Sequence, residues 1–269
     1  MKLIFLGTSH GVPETDRFRS ATLIETGGYC YLIDCGAPVA DLLIRKGIPF
    51  DKLRAVFITH RHSDHVFGLP ALVDLAIWYY KTPSWDIFMT EQKGVDAVRG
   101  MVESAIDTSS PERMRMHVYG AGEIYSDGLI SVRAIPTNHM NGLYPSYAFC
   151  VDAKPEGKRV IFTGDLHHRD AADFPAVALS EESDAVVCEL VHFPWQEILP
   201  KWKACRTKNL FINHYSPARA GEFRPKTGGF PSPASSPATA KSILFKAIPH
   251  NSRAEIAELF LCLFSGITV

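Results

Sequence analysis

Short apolar runs with the character of extended chain dominate the sequence. Residues 2–6, 21–26, 30–34, 54–58, 86–89, 130–135, 147–151, 159–162, 185–188 and 209–212 are rich in β-branched and aromatic side chains, and turn-forming residues bound them, which predicts strands. Apolar residues spaced three and four apart predict helices over 39–45, 69–80, 92–105 and 171–179. Gly27-Gly28 separates two strands at hairpin spacing, and Lys154-Pro155-Glu156-Gly157 reads as a second turn. Hairpins precede and interrupt the helices, so pure parallel alternation does not fit. The expected fold class is α/β, a sandwich of mixed sheets.

The end of the chain follows another pattern. Residues 224–240 are rich in Pro, Ser, Thr and Gly, including Phe230-Pro231-Ser232-Pro233-Ala234-Ser235-Ser236-Pro237, a composition that buries too little apolar area to order itself and reads as a loose linker. Residues 254–264 have the spacing of one amphipathic helix. No internal repeat is evident.

Composition narrows the setting. With 269 residues, 46% hydrophobic and 21% charged, the chain can bury a sizeable core as one large domain or two small ones. A net charge of -1 advertises neither nucleic acid nor an anionic membrane. The six cysteines, Cys30, Cys35, Cys150, Cys188, Cys205 and Cys262, include no C-x-x-C pair, which argues against a structural zinc knot and a disulfide scaffold. A reducing cytoplasm is the expected compartment. The opening apolar run, residues 3–6, is too short for a signal peptide, and no stretch could span a bilayer, so no membrane partner is expected.

The candidate chemistry lies in His60-Arg61-His62-Ser63-Asp64-His65, directly after the apolar run 55–58. Three imidazoles and a carboxylate within six residues suit a divalent first-row metal better than calcium or magnesium. Random placement would produce this spacing about once in a thousand chains of such composition. A metal site also needs ligands from elsewhere in the fold. His139, Asp165 and His214 each follow an apolar β run closely, where the loops of α/β layers gather binding groups.

The order H-x-H-x-D-H, then His, then Gly-Asp, then His resembles the metallo-β-lactamase-fold hydrolases, and within them the ribonuclease Z-like branch. The opening Phe5-Leu6-Gly7-Thr8-Ser9-His10-Gly11-Val12-Pro13, the run Leu32-Ile33-Asp34-Cys35-Gly36 and the stretch from Ile58 to Pro70 carry the likeness, which spans roughly residues 1–217. The resemblance implies an αββα sandwich, with residues 1–221 as the hydrolase-like domain and residues 222–269 as linker and short tail. It also implies two divalent metal ions, zinc first, with manganese or iron as alternatives. His60, His62 and His139 would hold one ion, Asp64, His65 and His214 the other, and Asp165 would bridge. Two such cations would lower the pKa of a bridging water towards ~7 and supply hydroxide at neutral pH. Asp34 is expected to buttress a ligand imidazole. Asp64, Glu189 and His192 are the candidate catalytic residues, His192 as proton donor to the leaving oxygen. His167 and His168, just after Asp165, are further candidates to line the cleft.

Two departures set this chain apart from tRNA-processing relatives. Ribonuclease Z sequences usually insert a long Gly/Pro-rich arm before the Gly-Asp strand, whereas here only residues 152–158 fill that interval. The helix expected before the last metal histidine is replaced by Pro194-Trp195-Gln196-Glu197-Ile198-Leu199-Pro200-Lys201-Trp202-Lys203, which reads as helix-breaking. Lys201, Lys203, Arg206 and Lys208 with Trp195 and Trp202 offer cations and stacking surface for a nucleic-acid backbone, but a solvated face is the stronger reading.

The leading functional expectation is therefore a dinuclear metal-dependent phosphodiesterase acting on a small or medium diester through a metal-bridging hydroxide. The first alternative is the tRNA 3′-processing endonuclease. A glyoxalase II type thioesterase and a metal-bearing ligand-binding module follow. Ser63 in the second gap position disfavours a flavodiiron centre, and an aspartate at position 165 disfavours a true β-lactamase. Nucleic acid is the less favoured partner, and a homodimer is left open.

Overall fold

A computed structural model describes residues 1–82, 84–106, 114–168, 171–222, 241–246 and 262–265. The first sheet begins with β1 (Lys2–Gly7) and β2 (Ala21–Thr26), and Gly27 and Gly28, at φ of +55° and +78°, turn β2 directly into β3 (Tyr29–Ile33). That left-handed pair is the hairpin geometry glycine adopts without steric cost. After α1 (Val39–Arg45), the chain adds β4 (Leu53–Phe57), then α2 (Ser63–Val66), α3 (Leu69–Asp74), β5 (Trp85–Met89), α4 (Gln92–Ile106) and β6 (Met114–Val118). The order is β1-β2-β3-β4-β5-β6, with the first three strands antiparallel and β3 to β6 parallel.

The second sheet contains β7 (Gly122–Ser126), β8 (Ile130–Thr137), β9 (Ser146–Ala153) and β10 (Lys158–Phe162), a run of antiparallel neighbours. Past α5 (Val177–Ser180), β11 (Ala185–Glu189) pairs parallel to β10, and past α6 (Trp195–Ala204), β12 (Asn209–Asn213) pairs parallel to β11. After α7 (Pro217–Glu222), β13 (Lys241–Lys246) and β14 (Cys262–Ser265) extend this sheet beyond β12 as antiparallel strands.

Three apolar clusters hold the layers together. Leu32, Val56 and Ile58 join Leu43, Leu72 and Val98 beneath the helices of the first half. Tyr31, Phe57, Phe149 and Phe211 fill the space between the sheets. Ile161, Val186 and Ile212 pack against Phe193, Ile198 and Trp202. The result is the expected αββα sandwich. Strands buried on both faces read as continuous apolar runs, which is why their positions were predictable. No helix among the described residues is long and apolar enough to cross a membrane.

Several local expectations need correction. The helix expected over 171–179 is only Val177–Ser180, and that over 69–80 passes after Asp74 into a π-helical turn, Leu75–Tyr79. The segment read as helix-breaking forms α6. Pro194 sits at its N-cap, where a missing N–H is harmless, and Pro200 is tolerated inside because Ile198 and Trp202 are buried beneath it. Strands β6 and β7 escaped notice: Met-Arg-Met-His-Val alternates, but Met and Arg are poor strand signals, and β7 is an edge strand. Residues 262–265 are a strand where the end of a helix was expected, and the rest of that expected helix, like the linker over 224–240, falls outside the described residues.

Phe57 is the keystone between the sheets, with ring centroids 5.1 Å from Phe88, 5.4 Å from Tyr125 and 6.1 Å from Phe149. Phe57→Ala is expected to destabilise the fold by about 3–5 kcal/mol, measured as a lowered midpoint of urea unfolding with little change in its slope.

Candidate metal centre

Every candidate ligand stands beyond the C-terminal end of a strand, in the loop that follows or, for Asp64 and His65, in the short helix α2. His60 to His65 follow β4, His139 follows β8, Asp165 follows β10 and His214 follows β12. Because β3 and β4 run parallel, as do β10, β11 and β12, these ends share one edge of the sandwich. A backbone bond joins the sheets there, Tyr147 N donating to Thr59 O (3.0 Å), while within the first sheet's edge the Tyr119 hydroxyl donates to Ile58 O (2.7 Å). The Gly-Asp turn must be tight. Gly164 has φ +58°, and a Cβ there would lie 2.6 Å from Tyr147 O.

The seven side chains form two adjoining groups. One ligand-type atom from each of His60, His62, His139 and Asp165 lies within 4.8 Å of the others, and so does one from each of Asp64, His65 and His214. Asp165 stands between them. Its Oδ2 is 3.6 Å from His60 Nε2, 3.7 Å from His139 Nε2, 3.5 Å from His65 Nε2 and 3.2 Å from His214 Nε2. Asp64 Oδ2 is 3.5 Å from His65 Nε2 and 3.6 Å from His214 Nε2.

Each imidazole is oriented through its other nitrogen. His65 Nδ1 bonds Asp34 Oδ2 (2.7 Å), His139 Nδ1 bonds Leu166 O (3.1 Å), His214 Nδ1 bonds Ser9 O (3.1 Å) and His60 Nδ1 faces the Thr59 hydroxyl (3.1 Å). His62 is reversed. Its Nδ1 faces the cluster, 2.9 Å from His60 Nε2, while Nε2 meets the Tyr144 hydroxyl at 3.1 Å. Arg61 lies over the Tyr144 ring at 3.9 Å and pairs with Glu91 at 2.7 Å. Asp34 also accepts the Thr59 amide (2.8 Å) and hydroxyl (3.0 Å), so one carboxylate indexes both His60's neighbour and His65. It adopts φ +59°, a strained conformation that this network offsets.

The electrostatics suit a cation. Burial, then the neighbouring His65 imidazole, holds His60 well below the ordinary imidazole value, and burial likewise lowers His62 and His139. Burial opposes charge on Asp165, yet the imidazoles of His214, His65 and His60 keep its carboxyl well below the usual range. Burial also opposes charge on His65, but Asp165 and Asp34 outweigh it and raise that ring. His60, His62 and His139 held towards the neutral form and Asp165 held ionised are in the states a metal requires of its ligands, whereas His65 would give up its proton to ligate. His65 Nε2 and Asp165 Oδ1 are buried without a hydrogen-bond partner, a cost that metal ligation would remove. By donor type, burial and orphaned atoms, the residues fit metal ions.

The family described as Anti-Pycsar protein Apyc1 matches residues 1–228. The chain belongs to that family. It is also ribonuclease Z-like: it is 34% identical over 169 residues to ribonuclease Z of Synechococcus sp. (strain WH7803), covering 59% of this chain and 50% of that protein. It is 36% identical over 179 residues to ribonuclease Z of Pseudomonas putida (strain W619), covering 65% and 52%. The chain thus spans about half the length of the curated relatives it matches. Human tRNase Z, short form, superposes with a TM-score of 0.65 at 25% identity over 82% of this chain and 94% of that one. The metallo-β-lactamase fold protein YhfI of Bacillus subtilis, at 19% identity and TM-score 0.64 over 82% and 90%, shares the fold.

Other expected residues gather at the same edge. Glu189 is buried, and its carboxylate accepts Leu166 N (2.8 Å), Val191 N (2.9 Å) and His192 Nδ1 (2.8 Å). Burial works against charge on His192, but Glu189 and then Asp165 raise it to about 9. Its ring lies 4.5 Å from that of His139 and 5.9 Å from that of His214, over both groups. Sequence reasoning missed Tyr144, Arg61 and Glu91 behind His62. It also missed Arg17, which bonds Glu14, Thr8 O (3.2 Å) and Tyr215 O (2.8 Å) and so ties the loop carrying Ser9 to the residue after His214. The polar stretch around Arg17 carries no local pattern that marks it as buried.

Asp34→Ala is expected to weaken zinc binding by about 10- to 100-fold by releasing His65, as read by chelator competition, with the far-ultraviolet circular dichroism of the fold retained. Asp165→Ala should leave at most one ion per chain, measured by atomic emission after dialysis against zinc.

Proposed function

We propose that this protein is a dinuclear metal-dependent hydrolase acting on small phosphodiesters. The observation that carries the reading is the position of Asp165, with one carboxylate oxygen 3.2 to 3.7 Å from imidazoles of both groups. In this assignment His60, His62 and His139 would hold one ion, Asp64, His65 and His214 the other, and Asp165 would serve both. Zinc suits this imidazole-rich set best. When bound, the ions supply Lewis acidity and hydroxide at neutral pH.

The chain's own groups do the rest. Asp64 and Asp165 bring negative charge that balances the cations and fixes the electrostatic field facing the phosphoryl group. His192 donates Nδ1–H to Glu189, which leaves Nε2 as the atom to deliver a proton to the leaving oxygen. Glu189 acts as a positioning residue, since its oxygens are engaged with backbone amides and His192.

Two features favour a compact diester over tRNA. Strands β9 and β10 are joined by a four-residue turn between Ala153 and Lys158, which leaves no room at that point for the arm of ribonuclease Z sequences. Three of the four basic residues there are engaged as well: Lys208 pairs with Asp184 (2.8 Å), Arg206 with Glu182 (3.1 Å), Lys201 with Ala171 O, and Trp202 is buried. A substrate small enough to bring its phosphorus down to buried ligands, such as a cyclic nucleotide, fits this edge better than a long polyanion.

The test is turnover by zinc-loaded protein of a cyclic nucleotide, bis(p-nitrophenyl) phosphate, a pre-tRNA with a 3′ trailer and an acyl-glutathione thioester. The diesters should be cleaved; faster trailer or thioester cleavage would replace this reading. His192→Ala should lower kcat by about 10²- to 10⁴-fold for a cyclic nucleotide, whose ribose oxygen needs a proton to leave. It should cost far less with p-nitrophenolate, which departs without one, and equal losses would remove His192 from the proton donor role.

A further inference from the structure

His168 is an exposed residue that neither the two ligand groups nor the proton donor role accounts for. One nitrogen from each of His139, His168 and His192 lies within 4.8 Å of the others. Ring centroids put His168 5.7 Å from His192 and 5.9 Å from His139. An exposed histidine on a free turn would not hold such a position.

The turn is held from both sides. Leu166 N donates to Glu189, the same carboxylate that orients His192, while His167 N donates to the Asp173 carboxylate (2.9 and 3.1 Å). Asp173 also accepts Asn138 N (2.5 Å), which docks the 165–168 turn against the loop carrying His139. The His167 ring reaches sideways to Asn141 Oδ1 at 2.7 Å. Two buttressing carboxylates thus bring His168 out beside His192 over the first ligand group, with an edge open to solvent.

We propose that His168 is a phosphate-binding residue that donates to a non-bridging oxygen of the diester over the group of His60, His62 and His139, beside the His192 that faces the leaving oxygen. The spacing fits. With one nitrogen of each ring within 4.8 Å of the other, the two histidines flank a space in which separate oxygens of one phosphoryl group can be met. Donation requires only a ring N–H, which imidazole carries in either charge state. An anionic phosphoryl oxygen is the acceptor that gains most from such a donor. This assignment rests on the phosphodiesterase reading for its substrate, but phosphate binding tests it separately.

His168→Ala and His168→Gln are compared with the unaltered full chain, all zinc-loaded, by calorimetric titration with inorganic phosphate and by steady-state kinetics with a cyclic nucleotide. His168→Ala should weaken phosphate binding about ten- to a hundredfold and raise KM by a similar factor. kcat should change far less, and both zinc ions should stay. His168→Gln, which keeps an N–H near the same place, should recover much of the binding. Phosphate affinity of His168→Ala within twofold of the unaltered chain would overturn the assignment, as would loss of zinc from that variant, which would make the residue a ligand. If no diester is turned over by the unaltered chain, the phosphodiesterase reading fails, while the phosphate titration still decides the role of His168.

Discussion

A single carboxylate oxygen shared among imidazoles organises this molecule. Asp165 is almost wholly buried, and its Oδ2 faces His60, His65, His139 and His214 at 3.2 to 3.7 Å. An isolated carboxylate in that position would be expelled or protonated, because burial disfavours its charge. It stays ionised because the surrounding rings supply compensating positive potential, and the same crowding of nitrogens and oxygens makes the locus receptive to cations. The loops that converge there are held on two sheets that share a large apolar interior, so the fold can sustain a polar knot that would not assemble on its own.

The knot is reinforced by a ring of partners one bond further out. Asp34, Ser9, Leu166 and Thr59 each engage the outward nitrogen of one imidazole, and Tyr144 does the same for His62 from the opposite nitrogen. Glu189 and Asp173 extend this shell by fixing backbone amides of the turn after Asp165. Strain also appears at the same edge: Asp34 and His214 take φ of +59° and +46°, away from the regions their side chains prefer. Rigid strands thus deliver chain ends to one place, and short loops there bend against local preference so that side chains meet.

Much of this was visible in the linear chain. The doubly covered strands β2 to β4 and β10 to β12 appeared as apolar runs, the ligand hexapeptide as an improbable clustering, and Asp34 as a plausible buttress. What failed were elements whose signal is tertiary. Pro200 sits within α6 because Trp202 and Ile198 are buried on its inner side, and the packing overrides the local penalty. Strand β6 lacks strong β-formers and owes its place to pairing with β5. Arg61 was only a spacer between two histidines until the fold set it over Tyr144.

The sequence by itself determined the ribonuclease Z-like character, the layered α/β architecture and which seven side chains are the candidate ligands, because period and ligand spacing are local properties that survive in one dimension. Only the tertiary structure decided that Asp165 stands between the two groups, that His62 turns its Nδ1 inward, that Glu189 orients His192 instead of facing the cleft, and that His168 shares their opening. Those are distances between segments as far apart as Ser9 and His214, set by strand register and by which loops the sheets bring to a common edge, and no stretch of chain encodes them alone.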